Sequence, residues 1–183
     1  MASDTGHGGV MTDEPLYVRD PDAWQAHLAE GNAKQARKRV SADVLLFDGD
    51  GRVLLVDPAY KPGLDLPGGM IEEEEAPHEG ARRELREELG LDVPVGPLLV
   101  VDWVPAHGPW SDMLAFIFGP LTLDAEQVDR LTLADDELVA LRWCPADQVR
   151  GELSERTGHR FTAALDAART GRAAYLVNGS PAG

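Results

Sequence analysis

The stretch Gly68–Leu91, GGMIEEEEAPHEGARRELREELGL, decides how this chain is read. Eight of its 24 residues are glutamate. They form either a solvated, charge-laced helix or a set of carboxylates placed to hold a metal. Pro77 stands where a first helical turn tolerates proline and Gly90 where a helix stops, so the spacing predicts a helix over residues 77–89. At about 100° per residue, Glu84, Glu87 and Glu88 share one stripe. Leu85 and Leu89 form a buried stripe beside it, and Glu79, Arg82 and Arg86 fall on the opposite, solvated side. Gly80 lies one turn before Glu84, where a bulky side chain would crowd the acidic stripe. Like charges at i,i+4 cost a helix only about a few tenths of a kcal/mol, but glutamate is also disfavoured toward a helix C-terminus. Hard divalent cations take oxygen ligands and keep waters for phosphate substrates, so they would neutralise such a stripe. On spacing alone, the solvated-face and metal readings both stand.

Working outward, the segment before this stretch, KRVSADVLLFDGDGRVLLVD, is a hairpin signal: β-rich runs at 40–47 and 52–56 flank the turn Asp48-Gly49-Asp50-Gly51. Pro62-Gly63 and Pro67-Gly68-Gly69 punctuate the approach to the glutamate-rich stretch. After it, strands are expected near 95–104 and 112–118, joined by the loop PAHGPWS. A short helix near 124–131, a strand over 137–144 and helices from Pro145 and over 159–170 follow, with Phe161 and Leu165 inward. Residues 22–38 read as a helix with Trp24 and Leu28 on one face, which Gly31 and Asn32 interrupt. The expected organisation is a flexible leader over 1–14, a helical extension over 15–38 and one larger domain over 39–183. Strands and helices mix without strict alternation, which fits an α/β or α+β domain rather than a Rossmann array.

A formal net charge of −15 on 183 residues argues against a nucleic-acid polymer or an anionic membrane as a bulk electrostatic partner. It leaves room for an anionic small molecule, because a bound dication inverts the local field. The single cysteine, Cys144, closes the apolar run LRWC and reads as core, and its solitude fits a reduced, cytoplasmic setting. No apolar run approaches the roughly 18 residues of a membrane span.

The order of residues carries more than the wheel. Gly69, Glu75 after five residues, then after seven more Arg83-Glu84-Leu85-Arg86-Glu87-Glu88-Leu89-Gly90-Leu91 matches the Nudix box, GX5EX7REUXEEXGU, at every defined position. From about residue 39 to 150 the chain resembles the Nudix hydrolase superfamily. That resemblance implies an α/β/α sandwich with a mixed sheet, and divalent-metal-dependent hydrolysis of a nucleoside diphosphate linked to another group. It implies that Glu84, Glu87 and Glu88, with the Gly68 carbonyl, ligate Mg²⁺ or Mn²⁺, and that Arg83 pairs with Glu75 to hold the loop against the helix. One of the box glutamates would also take the proton of the attacking water. Two positions depart from common family usage: Glu74, where glycine is frequent, and Ala76, where a Ser or Thr cap is frequent. Both put the loop conformation in question rather than the ligand set. A further acid after the box is expected among Asp135, Asp136 and Glu137, against the reading of these as a solvated turn.

The box names the chemistry and not the second group. In relatives acting on ADP-ribose a proline commonly follows the box by about 15 residues, and Pro105 occupies that region. Trp103, Trp110 and Tyr60 are aromatics near the expected cleft that would stack on a base, with core packing or loop anchoring as the competing role. His107, in the same loop, is read either as a surface residue or as a base. The expected partner is a small nucleotide, ADP-ribose-like or a nucleotide sugar, with a homodimer built through the N-terminal extension. The alternatives are hydrolysis of nucleoside triphosphates or oxidised nucleotides, and a ligand-sensing domain without catalysis. A prenyl diphosphate isomerase of the same superfamily would need a catalytic cysteine, which core-like Cys144 does not supply.

Overall fold

The computed structural model describes residues 14–133 and 137–182. The expected leader therefore lies outside the described residues, except Glu14. The chain divides into two compact units, Met1–Arg37 and Lys38–Gly183. The first contains α1 (Leu16–Arg19) and α2 (Pro21–Ala33). The Asp20 carboxylate accepts from the Ala23 N–H at 2.9 Å and caps α2. Trp24 meets Tyr17 edge-on at 6.2 Å and stacks on His27 at 5.6 Å. The helix passes through Gly31 and Asn32 rather than breaking there, and ends at Ala33 rather than continuing to 38. It buries no residue, so no packing holds the charged run after Ala33 in a helical turn.

The second unit is built on one mixed sheet. Its strands are β1 (Arg39–Phe47), β2 (Arg52–Pro58), β3 (Gly68–Met70), β4 (Leu98–Val104), β5 (Met113–Thr122), β6 (Leu138–Pro145), β7 (Ala174–Val177) and β8 (Ser180–Pro181). They lie in the order β6-β2-β1-β5-β4-β7-β8, with β3 paired to β1. β1 runs parallel to β5 and β4 parallel to β7; the other pairs are antiparallel. The helices are α3 (Pro77–Leu89), α4 (Ala125–Asp129), α5 (Val149–Glu152) and α6 (Glu155–Thr170).

Alternation along the strands makes two cores, one per sheet face. Ala42, Val44, Leu46, Leu54 and Val56 pack against Ala81, Leu85 and Leu89 of α3. Leu45, Val53, Leu55, Val100 and Ile117 pack against Phe161, Ala164 and Ala167 of α6. The result is the expected α/β/α sandwich. Leu85 and Leu89 are fully buried; at about 1.5–3 kcal/mol each, their burial outweighs the like-charge cost of the glutamate stripe beside them. Cys144 is buried in the α6-side core, where burial pushes its thiol above the usual range.

The β1–β2 turn is locked by Asp48. Its carboxylate accepts from the N–H groups of Asp50 and Arg52 at 3.0 and 2.8 Å, and from Arg52 Nε at 2.7 Å. Burial alone would raise this carboxyl, but the bonds from Arg52 outweigh it and hold the group below the ordinary carboxylate range.

Three differences from the sequence reading bear on the site. β3 is a strand where only turn punctuation was expected: its three residues pair with Ser41–Asp43 of β1. α6 starts at Glu155, four residues before the expected start, because Ser154 caps it through the Thr157 N–H. The glycine inside it, Gly158, lets the helix pass Arg150, whose carbonyl would lie 3.1 Å from an added Cβ. Last, β7 and β8 form a hairpin through Asn178 and Gly179, both at positive φ (54° and 81°), an Asn-Gly turn that the sequence carries in plain view. No helix among the described residues is long and apolar enough to cross a membrane.

Candidate functional site

β1 pairs with β2 only at its far end, Phe47 with Val53, while β3 takes the same edge at Ser41–Asp43. Between the diverging strands and the start of α6 lies a cleft of about 980 Å³. Gly68 lets β3 approach: at φ +137°, a Cβ there would sit 2.3 Å from the Ala42 carbonyl oxygen. Gly69 does the same for a side chain, since an added Cβ would lie 2.5–2.7 Å from the Glu84 carboxylate. Gly80 has a different reason than expected: its missing Cβ makes room for Ile71 and Glu75, not for the acidic stripe.

Arg83 is the hub of the acidic wall. Nε and Nη2 donate to the two oxygens of Glu75 at 2.9 and 3.0 Å, a bidentate pair. Nη2 also reaches the Met70 carbonyl at 2.9 Å, and Nη1 donates to Glu84 at 3.0 Å and Glu87 at 2.9 Å. All five guanidinium N–H groups are thereby used. The bonds from Arg83, ahead of its small burial, hold Glu75 below the ordinary range, while Arg83 itself is pushed further up, first by Glu75. Glu84 is raised, by burial first, against the opposing pull of Arg83; Glu87 and Glu137 add to the rise. Glu88 is buried, lines the cleft and accepts from the Gly68 N–H at 3.1 Å.

One guanidinium thus faces Glu75, Glu84 and Glu87, leaving a surplus of negative charge beside the backbone of Gly68 and Gly69. The donors are hard oxygens, and the space a Cβ at Gly69 would fill is what lets Glu84 reach the edge of the cleft. This arrangement fits Mg²⁺ or Mn²⁺. Among the described residues no three acidic or imidazole side chains converge into a cage.

The remaining sequence-predicted residues divide. His107 and Trp110 line the cleft; Trp103 and Pro105 do not. Trp103 braces the loop, its indole donating to Asp112 at 3.1 Å, and the Pro105 carbonyl oxygen lies 3.0 Å from His107 Nδ1, positioned to accept from it. Trp110 is 56% exposed, with the Arg39 guanidinium 4.9 Å from its ring centre. Tyr60 is exposed at the rim. Glu137 is exposed at the entry to β6, while Asp135 and Asp136 lie outside the described residues.

Two cleft residues escaped the sequence reading. Asp43 lines the cleft from β1, half-buried; burial first and Asp65 second push its carboxyl up to about 8, against Arg160 and Lys61. Arg160 lines it from α6 and is buried, with Nε donating to Asp102 Oδ2 at 2.7 Å. Asp102 is fully buried, and its other oxygen accepts from the Gly179 N–H at 3.0 Å. The available signals were charges at inward strand positions: Asp43 before Leu45 and Asp102 between Val100 and Val104.

Comparison with known proteins follows the same outline. The model of the NUDIX domain matches residues 37–165. A MutT-like protein of Streptomyces ambofaciens is 32% identical over 119 residues, 65% of this chain and 71% of the relative. Among solved structures, a UDP-X diphosphatase superposes with a TM-score of 0.62 at 20% identity, covering 84% of this chain and 74% of that one. The NUDIX domain of Shewanella oneidensis NrtR, complexed with ADP ribose, gives 0.58 at 20% identity over 76% of this chain and 97% of that one.

Proposed function

The chain belongs to the NUDIX family of pyrophosphohydrolases, and on that premise we propose that it hydrolyses the diphosphate linkage of a nucleoside diphosphate derivative, ADP-ribose-like or a nucleotide sugar. The observation that carries this reading is the acidic wall around Arg83 set at the edge of a cleft of about 980 Å³. A cleft of that size, at the upper end of small-molecule sites, suits a diphosphate with a group at each end. The UDP-X diphosphatase and the ADP-ribose complex among the structural relatives point the same way.

In this proposal Glu84, Glu87, Glu88 and the Gly68 carbonyl hold Mg²⁺ or Mn²⁺. Such ions offset charge on phosphoryl oxygens and make a bound water more acidic. Arg83 fixes the carboxylates of Glu84 and Glu87, and Glu75 fixes Arg83. A box glutamate accepts the proton of the attacking water. A new oxygen–phosphorus bond forms as the bridging one breaks, giving a nucleoside monophosphate and the phosphorylated second group. Trp110 and Tyr60 offer faces to the base. No cysteine is used, and Cys144 stays in the core.

The test compares kcat/KM for ADP-ribose and nucleotide sugars with nucleoside triphosphates, on one preparation with Mg²⁺. A tenfold preference for a triphosphate, about 1.4 kcal/mol in transition-state binding, rejects the substrate class. Full turnover in excess EDTA rejects the metal site, and tight binding without turnover favours the ligand-sensing alternative. A cytoplasmic homodimer completes the proposal, and light scattering checks its stoichiometry.

A further inference from the structure

The cleft has a second wall that the hydrolytic chemistry does not use. Arg156, His159 and Arg160 stand at i, i+3 and i+4 on α6, so they share one face, and all three line the cleft. Arg160 is 6% exposed. Its only hydrogen bond among the described residues is Nε to Asp102. Its two terminal nitrogens meet no acceptor there, yet neither is sealed off, since no buried side-chain nitrogen lacks a partner. They open into the cleft. Asp102 holds them in place twice over: one oxygen takes Arg160 Nε, and the other takes the N–H of Gly179. Gly179 in turn packs against Arg156 and His159, with contacts of 3.4 Å from an added Cβ. Asn178 and Ser180 of the same turn also line the cleft.

A buried ion pair gains little stability over an apolar pair of the same size. Here it delivers a rigid fork with its terminal donors unspent, the geometry that matches two oxygens of a carboxylate or phosphate. Arg156 makes no ion pair among the described residues and adds positive charge to the same face. The acidic wall is carried by α3 rather than α6, and Asp43 feels both Arg160 and Glu84. We infer that Arg160, oriented by Asp102 and supported by Arg156 and His159, reads an oxyanion on the second group of the substrate, so that the preferred nucleoside diphosphate derivative carries an acidic second group. Naming the ligand as a substrate rests on the proposed function.

The probes are UDP-glucose and UDP-glucuronate, which differ by a hydroxymethyl against a carboxylate. Dissociation constants are measured by calorimetry in EDTA at fixed ionic strength, so that neither metal nor turnover enters. The acid-bearing member is expected to bind at least about tenfold tighter, the size of a charge-assisted hydrogen bond. Arg160→Lys keeps a charge for Asp102 but loses the fork, and the ratio should fall severalfold. The double variant Arg160→Met with Asp102→Asn leaves no lone buried charge and keeps an acceptor for Gly179, and should bring the ratio near one. Inorganic phosphate should compete with the acidic member only. Equal binding of the two sugars by the native protein, no binding of the acidic one, or a ratio unchanged in both variants overturns the inference. Loss of both ligands alike in the variants would instead place Arg160 on the common diphosphate and overturn it too. Hydrolysis with Mg²⁺ is followed in parallel: an intact binding ratio without turnover sinks the proposed function and leaves this inference standing.

Discussion

Replacing Gly69 by alanine should separate catalysis from folding. Gly69 sits in β3 opposite Ala42 at an ordinary φ, so alanine meets no backbone strain. The added Cβ would lie 2.5 Å from Glu84 Cδ and 2.6 and 2.7 Å from its two oxygens. Ordinary contact begins near 3.4 Å, so the carboxylate must retreat by about 1 Å. It is the far end of a flexible side chain, so the fold accommodates the move, and the loss of glycine's freedom in the unfolded chain gives back about 0.4–1 kcal/mol. The midpoint of thermal unfolding should stay within a few degrees of the native value. A displacement of about 1 Å in a group that positions the reaction costs on the order of 10²-fold in rate, near 2.7 kcal/mol. The assay is kcat with saturating Mg²⁺ on the best nucleotide substrate, beside a melting curve. Native turnover in Gly69→Ala would show that Glu84 is not held where the cleft needs it. A drop of ten degrees or more in the midpoint would show that the contact is structural.

Three further outcomes are expected. Glu87→Gln should lower kcat by at least about 10²-fold at unchanged fold, while Glu79→Gln on the opposite face, whose amide oxygen can still accept the weak 3.4 Å bond from the Ala76 N–H, should cost nearly nothing; matched kinetics for the two would contradict the stripe. Glu74 holds φ at +62°, so Glu74→Gly should relieve left-handed strain and raise stability by up to about 1 kcal/mol, read by urea unfolding; a loss would mean that the side chain is needed. For Asp43 the folded carboxyl is raised from 3.8 to about 8. Between those values the folded state binds a proton that the unfolded state has released, so stability falls as pH rises through that window. Asp43→Asn should therefore unfold at a higher temperature than the native protein at pH 8 and show no such advantage at pH 4; equal advantage at both would refute the shift.

What the sequence made legible was local. The helix of the box was readable because its stops, its leucine stripe and its glutamate stripe all lie within 13 residues, and a single period orders them. The hairpin at Asp48 was readable for the same reason. The pairing of β3 with β1 and the Asp102–Arg160 pair were not, because each joins residues far apart in the chain, 58 positions in the second case. Helical spacing marked Phe161 as inward but gave no sign that Arg160 beside it is buried, because its partner Asp102 lies on a distant strand. Trp103 and Trp110 are the same residue type, seven positions apart in the chain. Only strand alternation and the fold of the loop send one to brace Asp112 and the other to the cleft.

Arg83, with every donor engaged, makes the acidic wall self-sufficient. A guanidinium already stands as counter-ion to Glu84 and Glu87, so a dication at the proposed site would displace bonds instead of filling a void. Binding free energies are reciprocal: whatever Arg83 contributes to holding those carboxylates is subtracted from the affinity of the ion. Glu75, clamped through both oxygens on the far side, keeps Arg83 from following them. If the proposed site holds a dication, the ion would enter a wall that is already braced, and the packing of the box helix would not depend on it.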